Sequence, residues 1–129
     1  MRRLAVRSKL WLEVDGRPLL GAGRERLLRL IAADGSISAA ARALEIPYRK
    51  AWGHLQSMEK SLGCRLVVRS KGGSRGGRAA LTAEALTLLE RFDAMQRGVQ
   101  AFVDGRFAET FREEPTAAPA VPAEERESC

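Results

Sequence analysis

The sequence predicts a mainly α-helical fold with small β-hairpins, and three features support this prediction. The 129 residues are 45% hydrophobic and 29% charged, a composition typical of a globular domain with its own core. Apolar residues recur at helical spacing over several segments, whereas the alternation typical of strands is confined to short stretches beside turn signals. A short helix, a three-residue turn and a longer helix follow one another, which is the arrangement of a helix-turn-helix. The predicted fold is therefore a winged helix-turn-helix, with an N-terminal β-ribbon and a long C-terminal dimerisation helix.

The N-terminal ribbon is predicted from alternating residues that precede a hairpin turn. Leu10, Leu12 and Val14 lie on one face of a strand, and Asp15-Gly16 is a favoured two-residue turn. The residues after the turn form the returning strand. Trp11 falls on the polar face of the first strand, where it either covers the long helix or is exposed for a partner.

Four helices are predicted from apolar periodicity and from the residues that begin or end helices. They cover residues 24–33, 39–44, 48–62 and 83–102. Gly35 is a natural left-handed residue after the first helix, and the turn Glu45-Ile46-Pro47 separates the second helix from the third. Pro47 fits a helix start because its missing N–H would have no helical partner there. Strands at 66–68 and 79–81 flank a cationic, glycine-rich loop at 69–78, and this second hairpin is the predicted wing.

Charge is unevenly distributed along the chain. Residues 1–80 contain 17 Lys and Arg against 6 Asp and Glu, a net charge of +11, whereas residues 81–129 contain 5 against 10, a net charge of −5. A block this basic attracts polyanions, of which nucleic acid is the commonest in a cytosol, although an Arg-rich solvated surface is the alternative. Residues 1–112 are predicted to form one DNA-binding and dimerisation domain, and residues 113–129 a disordered acidic tail rich in Pro, Ala and Glu.

The candidate DNA-binding residues lie on the exposed face of the third helix, at the start of the second helix and on the wing. A helix that enters a major groove needs a polar face with small residues near the backbone, and Arg or Lys pairs well with guanine edges. Cations among glycines on a wing suit backbone phosphates or the minor groove. The predicted set is Tyr48, Arg49, Lys50, Gly53 and Ser57 on the third helix, Ser36 and Ser38 at the start of the second, and Arg69, Lys71, Arg75 and Arg78 on the wing.

The long helix carries a stripe that predicts a homodimer. Its members, at heptad-like spacing, are Leu88, Phe92, Met95, Val99 and Phe102. The alternative is that this stripe packs on the core of its own chain. Gly98 costs the helix about 1 kcal/mol relative to Ala and marks a place where the helix bends or ends. A two-fold dimer would hold two recognition helices about 34 Å apart, which predicts an inverted-repeat operator.

Three segments carry a family resemblance. They are residues 35–44, which read Gly-Ser-Ile-Ser-Ala-Ala-Ala-Arg-Ala-Leu, the Tyr-x-x-Ala-Trp step at 48–52, and the glycine-rich wing that ends at Leu81-Thr82. They resemble the N-terminal DNA-binding domain of the ModE-type molybdate-responsive transcriptional regulators and, more broadly, the LysR-type winged helix. The resemblance implies a dimer that binds operator DNA and associates through the long helix.

Two differences from the family limit what the resemblance implies. Only the acidic tail follows residue 112 in this sequence, without room for the family's C-terminal molybdate-binding region, so we do not expect molybdate sensing to carry over. Pro47 stands where many relatives have a Ser that would cap the recognition helix.

No catalytic site, metal site or cofactor is predicted. His54 and Cys64 have no neighbours in sequence that would complete a ligand set, and no carboxylate pair or triad points to an enzyme. With no apolar run long enough to span a membrane, we expect a cytoplasmic protein. Three alternatives stay open: a DNA-binding subunit whose sensor is a separate protein, a winged-helix module that docks an acidic partner, and a small oxyanion binder that uses the Gly-Arg loop.

Overall fold

A computed structural model describes residues 3–71 and 77–112 of the chain. Within these residues, four helices and two antiparallel hairpins follow the predicted order. They are β1 (Leu12–Val14), β2 (Arg17–Leu20), α1 (Ala22–Asp34), α2 (Ile37–Ala43), α3 (Tyr48–Leu62), β3 (Val67–Lys71), β4 (Gly77–Leu81) and α4 (Ala83–Thr110). The predicted mainly helical winged helix-turn-helix is therefore confirmed. No helix in the described part of the chain is long and apolar enough to cross a membrane.

The N-terminal ribbon forms as its turn chemistry predicts. Asp15 and Gly16 have φ angles of 50° and 79°, the paired positive values of a type I′ hairpin turn. Leu12 pairs with Leu20, and the register shifts between Leu12 and Glu13. The ribbon packs its apolar face on the core, with Leu20 only 1% exposed, and leaves Trp11 49% exposed on the other face.

The helices α1, α2 and α3 enclose one hydrophobic core. Its members in these helices are Leu27, Leu28, Ile31, Ile37, Ala40, Ala41, Ala51, Leu55 and Met58. Small alanines on α2 and α3 let the two helices approach closely. Gly35 and Gly63 end α1 and α3 in the left-handed conformation, with φ of 67° and 71°, and each donates its N–H to the last turn. Leu62, in the final turn of α3, is 37% exposed.

Several predicted boundaries need correction. The helix α4 continues eight residues past Phe102 and ends at Thr110, running through Gly98 and Gly105. The propensity cost of a helical glycine, about 1 kcal/mol, is too small to end a long helix alone. The wing strands are also longer than predicted: residues 69–71 and 77–78, expected in the loop, form part of β3 and β4. The candidate Arg75 and the tail 113–129 lie outside the described residues.

Candidate nucleic-acid interface

The exposed face of α3 presents all five residues predicted to enter a major groove. Arg49, Lys50, Gly53 and Ser57 are exposed, and Tyr48 is 42% exposed at the first position of the helix. Arg49, Gly53 and Ser57 are four residues apart, so they form one stripe along the helix. A Cβ added at Gly53 would meet no atom within 4 Å, so the middle of this stripe is open. The face combines cations, hydroxyls and an exposed backbone.

The starts of α2 and α3 meet the wing around one small depression, which we call the polar notch. Its volume is about 70 Å³, and it is lined by Ser36, Ile37, Ser38, Tyr48, Arg69, Gly77, Arg78 and Ala79. Five predicted site residues from three separate segments are therefore neighbours. Two of them are arginines, and none of the described residues that line the notch is acidic. A space equal to about two liquid water molecules suits a small anionic group such as a phosphate edge.

The wing cation Arg69 is held against the recognition helix α3. Its guanidinium carbon lies 4.7 Å from the centre of the Trp52 ring, within the range of a cation–π contact. Trp52 is half-buried and packs against the core. Arg69 therefore connects the wing to α3, in addition to lining the polar notch. On the opposite strand, Arg78 is paired in register with Ser70.

Hydrogen bonds from backbone N–H groups of the wing fix its base to the helices. The Oε2 atom of Glu59, on α3, accepts hydrogen bonds from the backbone N–H groups of Leu66 at 2.8 Å and Val67 at 3.2 Å. Ala79 donates its backbone N–H to the carbonyl of Gly35 at 2.9 Å, which ties β4 to the turn between α1 and α2. No sequence pattern indicated this role of Glu59, whose only signal is an acidic residue on a helix seven positions before the predicted strand at 66–68.

The two helices of the motif start differently. Ser36 caps α2, because its Oγ atom accepts the backbone N–H of Ala39 at 3.1 Å. Ser38 is exposed in the first turn. Pro47 precedes α3 and makes no side-chain cap, as its identity predicts. Ser36 thus has a structural role at the polar notch, whereas Ser38 is exposed beside it.

His54 lies on the flank of α3, close to a cation of α1. Its Nδ1 atom accepts a hydrogen bond from Nε of Arg24 at 3.3 Å, so the imidazole is neutral in this arrangement. Burial lowers the pKa of His54, and the positive charges of Arg24 and Lys50 lower it further. Within the residues that the structure describes, no cluster of three His, Cys, Asp or Glu side chains could hold a metal ion.

The predicted dimerisation residues divide into two groups along α4. Phe92 is 1% exposed in the chain's own core, and Leu88 is half-buried against that core. Met95 is 43% exposed, Phe102 is 70% exposed, and Val99 is half-buried. Beyond Phe92, none of the described α4 residues is buried. The alternative of intrachain packing therefore applies to the first part of the stripe, and Phe92 is withdrawn as an interface residue because the core already covers it.

One family matches the middle of the chain. Residues 25–86 match the family described as bacterial regulatory helix-turn-helix protein, lysR family. The match begins in α1, includes α2, α3 and the wing, and ends at the start of α4.

Curated relatives and a solved structure agree with this match. The transcriptional regulator ModE of Haemophilus influenzae is 42% identical over 74 residues, which are 57% of this chain and 29% of the relative. The molybdenum-pterin-binding protein MopB of Rhodobacter capsulatus is 40% identical over 80 residues, 62% of this chain and 30% of the relative. The chain thus spans less than a third of the length of either. A point mutant of MepR from S. aureus shares the fold, with a TM-score of 0.57, 17% identity, and coverage of 84% of this chain and 72% of that one.

Proposed function

We propose, from the premise that residues 25–86 are a LysR-type helix-turn-helix domain related to the ModE-type regulators, that this chain regulates transcription as a homodimer bound to an inverted-repeat operator. The match to residues 25–86 and the similarity to ModE agree with the family resemblance of the sequence. The Haemophilus relative is named a transcriptional regulator, which agrees with the expectation that the chain is not an enzyme. The proposal does not include molybdate sensing. DNA as the target makes the cytoplasm the proposed location.

The polar notch is the observation that carries the DNA-binding proposal. Ser38, Tyr48 and Arg78 come from three elements, yet they surround one space suited to a backbone phosphate. A phosphate held there would lie at the first turn of α3. The exposed residues Arg49 and Lys50, in that turn, would then face the base edges of the adjacent major groove.

The exposed part of α4 supports the homodimer. From Met95 to Thr110 the helix is about 24 Å long, and it carries Met95, Val99 and Phe102 outside the core. A large exposed side chain such as Phe102, 70% accessible, costs free energy in water that a second copy of the same helix would recover. The proposed interface therefore consists of Met95, Val99 and Phe102, with Leu88 at its edge.

Sedimentation velocity tests the dimer. Phe102→Glu should convert a dimer into a monomer, because it places a charge on each side of the two-fold interface. Ala101→Glu is the matched control, since Ala101 is an exposed neighbour on α4 outside the stripe and the charge change is the same. A monomeric wild-type chain, or equal dissociation of both variants, would refute this part of the proposal.

A selection from genomic fragments tests DNA recognition. The purified full chain is mixed with sheared DNA from its own source, and the retained fragments are sequenced. We expect a few sharp peaks that share an inverted repeat. Arg49→Ala and Lys50→Ala should each cost about 1–3 kcal/mol at that site and relax the sequence preference. Arg97→Ala is the control, because it removes the same charge from an exposed ion pair on α4 outside the stripe proposed for the dimer.

Other outcomes of this selection would favour the alternatives. Diffuse recovery that is lost between about 50 and about 200 mM salt would indicate a basic module without specificity. Absence of duplex binding, with tight binding of an acidic protein, would indicate an interaction module instead. Specific peaks that require a second, co-purifying chain would indicate a sensor supplied by that separate protein.

A further inference from the structure

A cleft that shares no lining residue with the polar notch lies beside the N-terminal ribbon. It has a volume of about 580 Å³ and is formed by the ribbon, the start of α1, and α3 with the turn before it. Its floor is apolar, with Leu20, Leu27 and Ile46 among the lining residues. Trp11 forms one wall. Cavities of this size with an apolar lining and a few polar groups are the usual form of small-molecule sites.

The charged groups of the cleft are all cationic. Lys9, Arg24 and Lys50 line it together with His54, and no Asp or Glu is among the described residues that line it. Burial is the largest cause of the lowered pKa of His54, and the positive charges of Arg24 and Lys50 lower it further. These positive charges therefore act on the same small volume. An anion bound there would relieve this concentration of like charge.

Two features hold the cleft in place before any ligand binds. Arg24 donates from Nη1 to the carbonyls of Pro18 at 3.1 Å and Leu19 at 3.0 Å, and from Nε to His54. Its guanidinium is therefore fixed by three contacts, which lowers the entropy cost of binding an anion. Gly21 lets the ribbon approach α1 closely, since a Cβ at that position would lie 3.3 Å from Cβ of Trp11.

We propose that this cleft binds an organic anion with a flat apolar body, and that the ligand weakens DNA binding through Lys50. The carboxylate or similar group would pair with Arg24 and Lys50, and the body would lie between Trp11 and the leucine floor. Lys50 also belongs to the outward face of α3, so an anion that pairs with it withdraws a cation from the DNA surface. This second step depends on the proposed DNA-binding function, whereas the binding of the anion does not.

Calorimetry without DNA tests the site itself. The probe is 1-naphthoate, and the control ligand is 1-naphthamide, which has the same shape without the charge. We expect the acid to bind at least about tenfold more tightly than the amide. Trp11→Ala and Arg24→Gln should each weaken acid binding at least about fivefold, whereas Arg106→Gln should not change it. Equal affinity for acid and amide, or no heat from the acid up to about 5 mM, would overturn the proposal.

His54 gives an independent readout, because it is the only histidine in the chain. Its imidazole resonance is titrated by NMR with and without 1-naphthoate. A bound anion favours the charged imidazolium, so the pKa of His54 should rise when the acid binds, and it should not move with the amide. An unchanged pKa at saturating acid would place the ligand elsewhere and refute the assignment.

Duplex binding in the presence of the probe tests the coupling. With the ionic strength held constant, saturating 1-naphthoate should weaken wild-type binding to the selected operator at least about threefold, and DNA should weaken naphthoate binding by the same factor. Lys50→Gln should remove this coupling.

The possible outcomes separate the two proposals. If the acid binds and no duplex does, the site stands and the proposed function fails. If the duplex binds and the acid does not, the proposed function stands and the site fails. If Trp11→Ala and Arg24→Gln weaken the duplex without any acid binding, the cleft belongs to the DNA surface and the proposal is wrong.

Discussion

Gly53→Ala should make the free protein more stable and its DNA complex weaker. Gly53 lies inside α3, where glycine costs about 1 kcal/mol relative to alanine through backbone entropy. A Cβ at this position meets no atom within 4 Å, so nothing in the folded chain opposes the added methyl group. We therefore expect the free energy of unfolding to rise by about 0.5–1 kcal/mol, which corresponds to an increase of about 2–4 °C in the melting temperature.

The opposite effect is expected on DNA. Gly53 lies between Arg49 and Ser57 on the stripe proposed to face the major groove, so the missing side chain permits close approach of the helix backbone. A methyl group inserted into such a closely packed contact typically costs about 1–3 kcal/mol, or roughly 5-fold to 150-fold in affinity. Urea unfolding at fixed protein concentration measures the stability. Fluorescence anisotropy with the selected operator measures the affinity.

Gly105→Ala is the matched control for this prediction. Gly105 is also a helical glycine with no atom within 4 Å of an added Cβ, but it lies near the end of α4. It should show the same gain in stability and no loss of DNA affinity. If Gly53→Ala stabilises the chain and leaves operator affinity unchanged, the backbone of α3 does not approach the DNA closely at this position. If it destabilises the chain, the space around Gly53 does not accommodate a methyl group.

Three further predictions concern the wing, the single histidine and the wing cation. Glu59→Ala should lower the free energy of unfolding, measured by urea titration, by about 2–3 kcal/mol, because two backbone N–H groups lose their charged acceptor. Glu59→Gln should restore part of this loss. An alanine variant as stable as the wild-type chain would contradict the anchoring role of Glu59. The pKa of His54 is lowered in the folded state, so the unfolded chain binds more protons as the pH falls below 6.5, and stability should decline over that range. His54→Gln should remove this part of the pH dependence. Melting temperatures of both proteins, measured at several pH values, test this: an identical change with pH in the wild-type chain and in His54→Gln would contradict the role of His54. Arg69→Ala should weaken operator binding but change the slope of log affinity against log salt only slightly, because the guanidinium is engaged with Trp52. The loss of one phosphate contact would change this slope by about 0.9. A change of that full size would therefore assign Arg69 to the phosphates.

The elements that the sequence predicted well are those whose signals are local. Asp15-Gly16 specifies its turn within two residues, and Gly35 and Gly63 end their helices at positions where only a left-handed residue fits. The turn at Glu45-Ile46-Pro47 is likewise marked by its own residues. Glu45, however, has a positive φ of 57°, which its identity does not suggest. Local chemistry therefore accounts for the helix-turn-helix almost completely.

The features that the sequence could not predict depend on distant partners. Phe92 and Phe102 fall on the same heptad-like stripe, and only the position of the core along α4 separates the buried residue from the exposed one. Glu59 acquires its role from backbone groups beyond the end of its helix. The cationic cleft joins Lys9, Arg24 and Lys50 from three segments, so no window of the sequence contains its pattern.

The basic charge of the chain is not a count of its contacts with DNA. Of the net charge of +11 in residues 1–80, Arg24 is fixed on the ribbon and His54, and Arg69 lies over Trp52. These cations shape the surface that carries the exposed ones, Arg49 and Lys50 on α3. The electrostatic attraction of the whole basic block favours any polyanion, whereas specificity depends on the few side chains that the other cations hold in position. For this reason the removal of a positioning cation and the removal of a contacting cation should differ in salt dependence even where both weaken the complex equally.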